Sequence, residues 1–268
     1  MAISFKKYQC LGRDFILLDN RNGEFEALQS TEIARLCAQK FGVGASGVLR
    51  LDQISETLIE VKSFNFNGTL AELNAVDAAC MMVFAKNLGF FNPSINIEIN
   101  GQSVCCSLVS NYENMHFVNV QILDPISIRK RTKGFVMDCG TLICMVPTDD
   151  VNNVDVLEKG REISYGKRFS KGANVTFYQT NPNFLEIRHY EHQVDQETYT
   201  NGLCAIGAAL SDAQNNRAYE PDEDNTIDSC LVRTKGGEVQ VSFEHSEGTF
   251  DNVNLQVLVN VVYDGTTN

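Results

Sequence analysis

Apolar and polar positions alternate over residues 3–9 and 14–19, on either side of Leu11-Gly12-Arg13-Asp14, which predicts two short strands. From Ser30 or Thr31 the spacing becomes helical, with Ile33, Leu36, Cys37 and Phe41 on one face and Gly42 as the stop. A strand is predicted over 58–66, ending at the turn signal Asn67-Gly68. A helix follows over about 75–88, burying Ala78, Ala79, Met82, Val83 and Leu88, with Gly89 closing it. Asn100-Gly101 joins alternating runs at 95–99 and 103–109, a strong hairpin signal. Residues 115–122 fit a further strand.

The run Arg129-Lys130-Arg131-Thr132-Lys133 breaks this pattern and predicts a solvated linker at a domain boundary. The order of elements then repeats. A strand at 134–138 leads to Gly140, and a short helix at 151–160 takes Asp149 or Asp150 as its cap. Strands at 174–180 and 184–191 flank Asn181-Pro182-Asn183, and a helix runs from about 202 to 216. A polar, acidic loop from Asn215 to Asp228 precedes strands at Ile227–Arg233 and Val239–Phe243, which Gly236-Gly237 joins. The last strand spans about 253–263. Each half contains a strand, a turn, an asparagine at a helix start (Asn74, Asn201) and an alanine-rich helix. This duplication predicts two pseudo-twofold domains, residues 1–128 and 129–257, facing each other across a cleft.

A chain of 268 residues with 43% hydrophobic composition can bury a full core. A formal net charge of −12 repels phosphate backbones, so nucleic acid is not an expected partner. No stretch of 18 apolar residues predicts a membrane span, and Met1-Ala2-Ile3-Ser4-Phe5-Lys6-Lys7-Tyr8 has no export signal. Nine cysteines, an odd number, then point to reduced thiols and a cytoplasmic protein. The four histidines show no metal-ligand spacing, so no metal is expected. Gly42 to Gly47 has the glycines of a phosphate loop but no Gly-Lys-Ser/Thr after them.

The chemistry concentrates in Arg188 to Ala209, where an alternating segment passes through a polar turn into small residues. Free N–H groups at such a helix start make a site for a carboxylate. This stretch resembles the second active-site motif of the diaminopimelate epimerases, E-R-G, E-T, then A-C-G-T/S-G-A. Glu191 matches the first glutamate, Glu197-Thr198 match E-T, and Thr200-Asn201-Gly202 match A-C-G. The resemblance covers nearly the whole chain. Residues 7–19 resemble the N-terminal K-Y/M-x-G-x-G-N-D-F-V-x-I-D, and 41–47 resemble G-I-G-A-D-G/Q. Residues 65–74 resemble N-A-D-G-S-x-A-E-M-C, 138–143 resemble D-T-G-N-P-H, and 169–177 resemble F-P-x-G-x-N-V-x-F.

What the resemblance implies is an α/β (α+β) fold of two domains, each a curved mixed sheet around a central helix. It implies that the last strand, 258–268, returns to the first domain. It also implies an amino-acid substrate held between the domains, one cysteine on each side, and proton transfer without a cofactor. Asn65 and Asn174 match substrate-binding positions. The departures fall in the pocket. Both thiol positions are carboxamides, Asn74 and Asn201. The substrate-binding asparagine of G-N-D is Arg13, the arginine that holds the distal carboxylate is His192, and Leu203 follows Gly202 where a small hydroxyl is usual. The histidine of N-P-H is Ile143.

Epimerisation needs a base on one face and an acid on the other, and a carboxamide is neither at neutral pH. The first reading is therefore an epimerase-like protein impaired in catalysis, a pseudoenzyme that still binds a small amino-acid-like ligand or acts as a homodimer. The alternative is a cofactor-independent isomerase with a carboxylate base, Glu191 or Glu72, against a purely structural bond from Glu191 to the helix start. A relocated thiol (Cys80, Cys139 or Cys204) competes with the reading of these residues as small buried apolar side chains. The remaining reading is a true diaminopimelate epimerase of lysine biosynthesis.

Overall fold

The computed structural model of the chain describes residues 2–90, 92–124, 126–169, 171–216, 228–246 and 249–267. Residues 217–227 of the expected acidic loop lie outside them. The chain forms two compact units, Met1–Val120 with Val257–Asn268, and Gln121–Gln256.

The first unit contains β1 (Ile3–Cys10), β2 (Arg13–Asp19), α1 (Ser30–Cys37), β3 (Gly47–Ile54), β4 (Leu58–Asn65), α2 (Ala75–Asn87), β5 (Ser94–Ile99), β6 (Gln102–Tyr112) and β7 (Met115–Ile122). These strands neighbour one another in chain order. Residues 257–267 of the chain's last strand pair with β7 on one side and with β1 on the other, from Ile3↔Thr267 to Cys10↔Val259, which closes a barrel. β2–β3 and β4–β5 are parallel pairs, and α1 and α2 are the crossovers that such pairs require. All eleven residues from Ala75 to Ala85 are buried, because α2 touches β1, β2, β3, β5 and β6. A helix buried all round has no solvent face, and here the barrel supplies its surroundings.

The second unit contains β8 (Ile126–Arg131), β9 (Gly134–Asp138), β10 (Leu142–Pro147), α3 (Val156–Ser164), β11 (Asn174–Thr180), β12 (Leu185–Glu191), β13 (Gln196–Thr198), α4 (Gly202–Asn216), β14 (Asp228–Thr234), β15 (Gly237–Ser246) and the first part of β16 (Thr249–Thr267). The strand order is β16-β15-β14-β12-β11-β10-β9-β8, with Phe250↔Ile126 closing the circuit. Again two pairs are parallel, β10–β11 and β12–β14, spanned by α3 and α4. α4 touches β10, β11, β12, β14 and β15. A side chain at Gly207 would meet Met145 Sδ at 3.0 Å, so the small residues of α4 permit its close approach. No helix among the described residues is long and apolar enough to cross a membrane.

Three local expectations are corrected. Phe41 is 91% exposed, because α1 ends at Cys37 and the chain folds back to satisfy its carbonyls through Gly42 N–H to Ala38 and Val43 N–H to Leu36. The basic run is not a linker. Arg129, Lys130 and Arg131 belong to β8, whose Ile126 and Ile128 are buried while its charges face water. The helix expected at 151–160 starts later, at Val156, because Asp155 accepts from Glu158 N–H at 2.9 Å. Asp150 caps the preceding turn instead, accepting from Asn152 and Asn153 N–H at 3.1 and 3.3 Å.

Candidate functional site

In the first unit the candidate residues gather at the start of α2. Asn74 has extended backbone, is buried, and its Oδ1 accepts from Val76 N–H at 3.3 Å. That is the geometry of a helix cap, for which a short polar side chain is suited. Arg13 opens β2 after a tight reversal at Leu11 and Gly12, with φ of 52° and 79°. It is buried, lies 5.6 Å over the Phe15 ring, and brings Nε to 3.8 Å from Asp77 Oδ1. Asp77, in the first turn of α2, is fully buried and accepts from Ser63 Oγ at 3.0 Å. Asn65 ends β4, and its amide donates to Thr69 Oγ1 at 3.1 Å and to the Leu70 carbonyl at 3.4 Å, which fastens the turn around Gly68. Glu72, half-buried, lies in the segment between that turn and Asn74.

In the second unit the corresponding place is the start of α4. Asn201 is buried, its Oδ1 accepts from Cys204 N–H at 3.1 Å, and its Nδ2 donates to Glu191 Oε1 at 2.8 Å. Glu191 is 7% exposed at the end of β12. His189 Nε2 lies 3.8 Å from the same carboxylate oxygen and 2.7 Å from Thr198 Oγ1. Asn201, Glu191, His189 and Thr198 thus form one polar row. Asn174 begins β11, and its Oδ1 meets the backbone N–H and ring Nδ1 of His192, each at 3.1 Å. His192 also packs on Gly172, where a Cβ would come within 2.9 Å of its ring. Gly202 and Leu203 are both buried in the first turn of α4.

Glu197 has a different task. Burial raises its pKa, but the hydrogen bonds and charges of Arg188 and Lys235 outweigh burial and hold it below the usual glutamate range. Arg188 donates to Glu197 at 2.7 and 2.9 Å and to the carbonyls of Val151, Asn152 and Val154. The pair fastens the segment before α3 to β12. Among the cysteines, Cys80 is fully buried, and burial, then contact with Cys10, drive its thiol well above the ordinary range. A thiol so placed is not available as a thiolate at neutral pH.

Within the second unit, Asn201 and Glu191 are in direct contact, as are Asn174 and His192. Within the first, Arg13 stands with Asp77, one turn into the helix that Asn74 caps. Sequence reasoning missed Asp77, Ser63 and His189. Asp77 carries a signal: it is the one charged residue between Asn74 and Lys86 in an otherwise apolar run. Chemically, the two helix starts present carboxamides with little acid or base capacity, and Glu191 is a carboxylate able to move a proton.

No family model matches the chain. It is 27% identical over 271 aligned residues to a diaminopimelate epimerase of Flavobacterium psychrophilum, covering 97% of this chain and 98% of the relative. It is 30% identical over 230 residues to a diaminopimelate epimerase of Hydrogenobaculum sp., covering 76% of this chain and 82% of the relative. A solved structure of a phenazine biosynthesis protein of the PhzF family from Bacillus anthracis matches with a TM-score of 0.72 over 100% of this chain and 99% of that one. At 11% identity this is a likeness of fold.

Proposed function

Because the chain belongs to the diaminopimelate epimerase family, we propose that it is a member without two-thiol epimerase activity, retaining a binding role toward a small amino-acid-like ligand. The observation that carries this reading is the use made of the two asparagines. Asn74 spends its oxygen on Val76 N–H, and Asn201 spends its oxygen on Cys204 N–H and its amide on Glu191. Both act as helix caps, and neither supplies a basic atom or a labile proton. One positioned acid or base contributes roughly 10²–10⁴ in rate, so lacking the pair removes useful turnover. The test is proton exchange: purified protein is incubated in heavy water with the stereoisomers of diaminopimelate, and loss of the α-hydrogen signal is followed by NMR. No exchange above the protein-free control is expected. Interconversion at an enzyme-like rate overturns the reading.

A second reading has its own supporting observation, the burial of Glu191 beside Asn201 and His189. In it Glu191 is the single base of a cofactor-independent isomerase. A panel of amino acids of both hands separates the two. Deuterium uptake into any of them that Glu191→Gln abolishes favours the isomerase, and uptake that persists in that variant removes Glu191 from the chemistry.

A further inference from the structure

β8 is paired along its whole length on one side only. There it joins β9, from Ile128↔Met137 to Arg131↔Gly134. On the other side, among the described residues, Ile126 and Ser127 alone have partners, Phe250 and Thr249 of β16. Beyond Ser127 that edge is open, and an open edge carries backbone N–H and C=O groups able to template another strand. The side chains along it are basic. Successive side chains alternate between the faces of a strand, so Arg129 and Arg131 share the outer face, while Ile126 and Ile128 point inward and are buried. Lys130, also exposed, holds Nζ 5.9 Å from the centre of the Phe135 ring and donates to Asn215 Oδ1 at 3.5 Å. Lys133 stands exposed in the turn to β9. The chain has 34 acidic residues against 22 Lys and Arg, yet among the described residues no carboxylate forms an ion pair with Arg129, Lys130, Arg131 or Lys133. The local charge is opposite in sign to the net charge of −12.

We propose that the open edge of β8 is a docking strand for an extended acidic peptide of a partner protein, one with carboxylates at alternate positions. Main-chain hydrogen bonds to residues 128–131 add the peptide to the sheet. Its carboxylates, two residues and about 7 Å apart, then meet Arg129 and Arg131 on the outer face. Opposite charges directly across a strand pair attract and like charges repel, so the two arginines admit an acidic strand and refuse a basic one. Charges on an edge also discourage apolar strands, and here that protection becomes selection. The net negative charge of the protein disfavours a polyphosphate as the occupant. The surface lies within the second unit and is independent of the ligand reading above, so α-proton exchange by the protein would overturn that reading and leave this inference standing.

The test is fluorescence anisotropy of the full chain with a short labelled peptide of alternating threonine and glutamate. Two controls carry the same charge: a peptide of alternating proline and glutamate, which cannot donate along a strand edge, and a single-stranded oligonucleotide. The wild type is expected to bind the threonine–glutamate peptide at least about tenfold more tightly than either control, and R129E/R131E to lose at least about tenfold in affinity for it. Absence of binding, equal binding of the proline peptide or the oligonucleotide, or undiminished binding by R129E/R131E overturns the proposal. Hydrogen exchange of the wild type gives a second readout that needs no variant. Slower exchange at the amides of residues 128–131 in the presence of the peptide is expected, and protection confined to other strands overturns the assignment.

Discussion

Asn201 Nδ2 donates to Glu191 Oε1 across 2.8 Å, and both side chains are buried in the second unit. The same carboxamide accepts from Cys204 N–H with its oxygen. One residue thus caps α4 and holds the carboxylate at the end of β12. Asn201→Ala removes both functions. The expected loss is about 1 kcal/mol for the cap and about 1.5–3 kcal/mol for the hydrogen bond to the carboxylate. Urea unfolding measures it, and a loss under about 0.5 kcal/mol, the scale of an ordinary surface change, would contradict this assignment.

Glu197 links stability to pH. Its pKa is lowered in the folded protein, while the pKa of Arg188 is raised chiefly by its hydrogen bond to Glu197. The two directions agree. A depressed carboxylate contributes stability above its unfolded pKa of about 4.3, and that contribution disappears as pH falls through the folded value. Glu197→Gln should therefore be less stable than the wild type at pH 7, and the gap should close below about pH 4. Unfolding curves for both proteins between acid and neutral pH provide the check. A gap independent of pH would mean that the ion pair is not its source.

Gly68 has φ of 82°, and a Cβ there would lie 2.1 Å from the Ser30 carbonyl oxygen. Gly68→Ala combines a left-handed backbone with a backbone clash, so about 2–4 kcal/mol of destabilisation is expected. The turn that follows Asn65 should loosen with it, seen as faster amide exchange over residues 65–70. Unchanged stability and unchanged exchange would show that the close approach to Ser30 is not required.

Thiol reactivity should follow burial. Burial pushes the Cys37 thiol up to about 12 and the Cys144 thiol up to about 11, and it raises Cys80 and Cys106 as well. Cys105 is half-buried. A disulfide reagent at pH 8 should modify Cys105 in the native protein, while Cys37, Cys80 and Cys106 react after unfolding. Peptide mass mapping of the modified sites reads the order. Early labelling of Cys80 would reopen it as a relocated reactive thiol.

Much of the framework was legible along the chain. The small residues from Gly202 to Ala209 announced a closely packed helix, and Gly207 against Met145 shows what they make room for. Asn74 and Asn201 were placed at helix starts by the turns before them and the apolar runs after. Phe41 misled because its helical spacing continues past the point where the chain turns back to cap α1. The basic run misled because an outward-facing strand edge and a solvated linker have the same polarity. Arg188 could not be assigned its partners in advance, since Val151, Asn152 and Val154 reach it through the packing of the segment before α3 on β12.

By itself the sequence determined what neighbouring residues settle among themselves. Asn100-Gly101 reverses the chain with φ of 51° and 87°, since those residue types tolerate the left-handed region. The pattern of burial along each strand likewise follows from the order of side chains. Only the tertiary structure decided which polar groups meet. Ser63, Asp77 and Arg13 come from a strand, a helix start and a reversal far apart in the chain, and the pairing of β2, β3 and β4 with α2 packed on them brings them together. Periodicity says which face of an element is buried. It does not say what lies opposite, because that depends on strand register and on the direction in which each crossover returns.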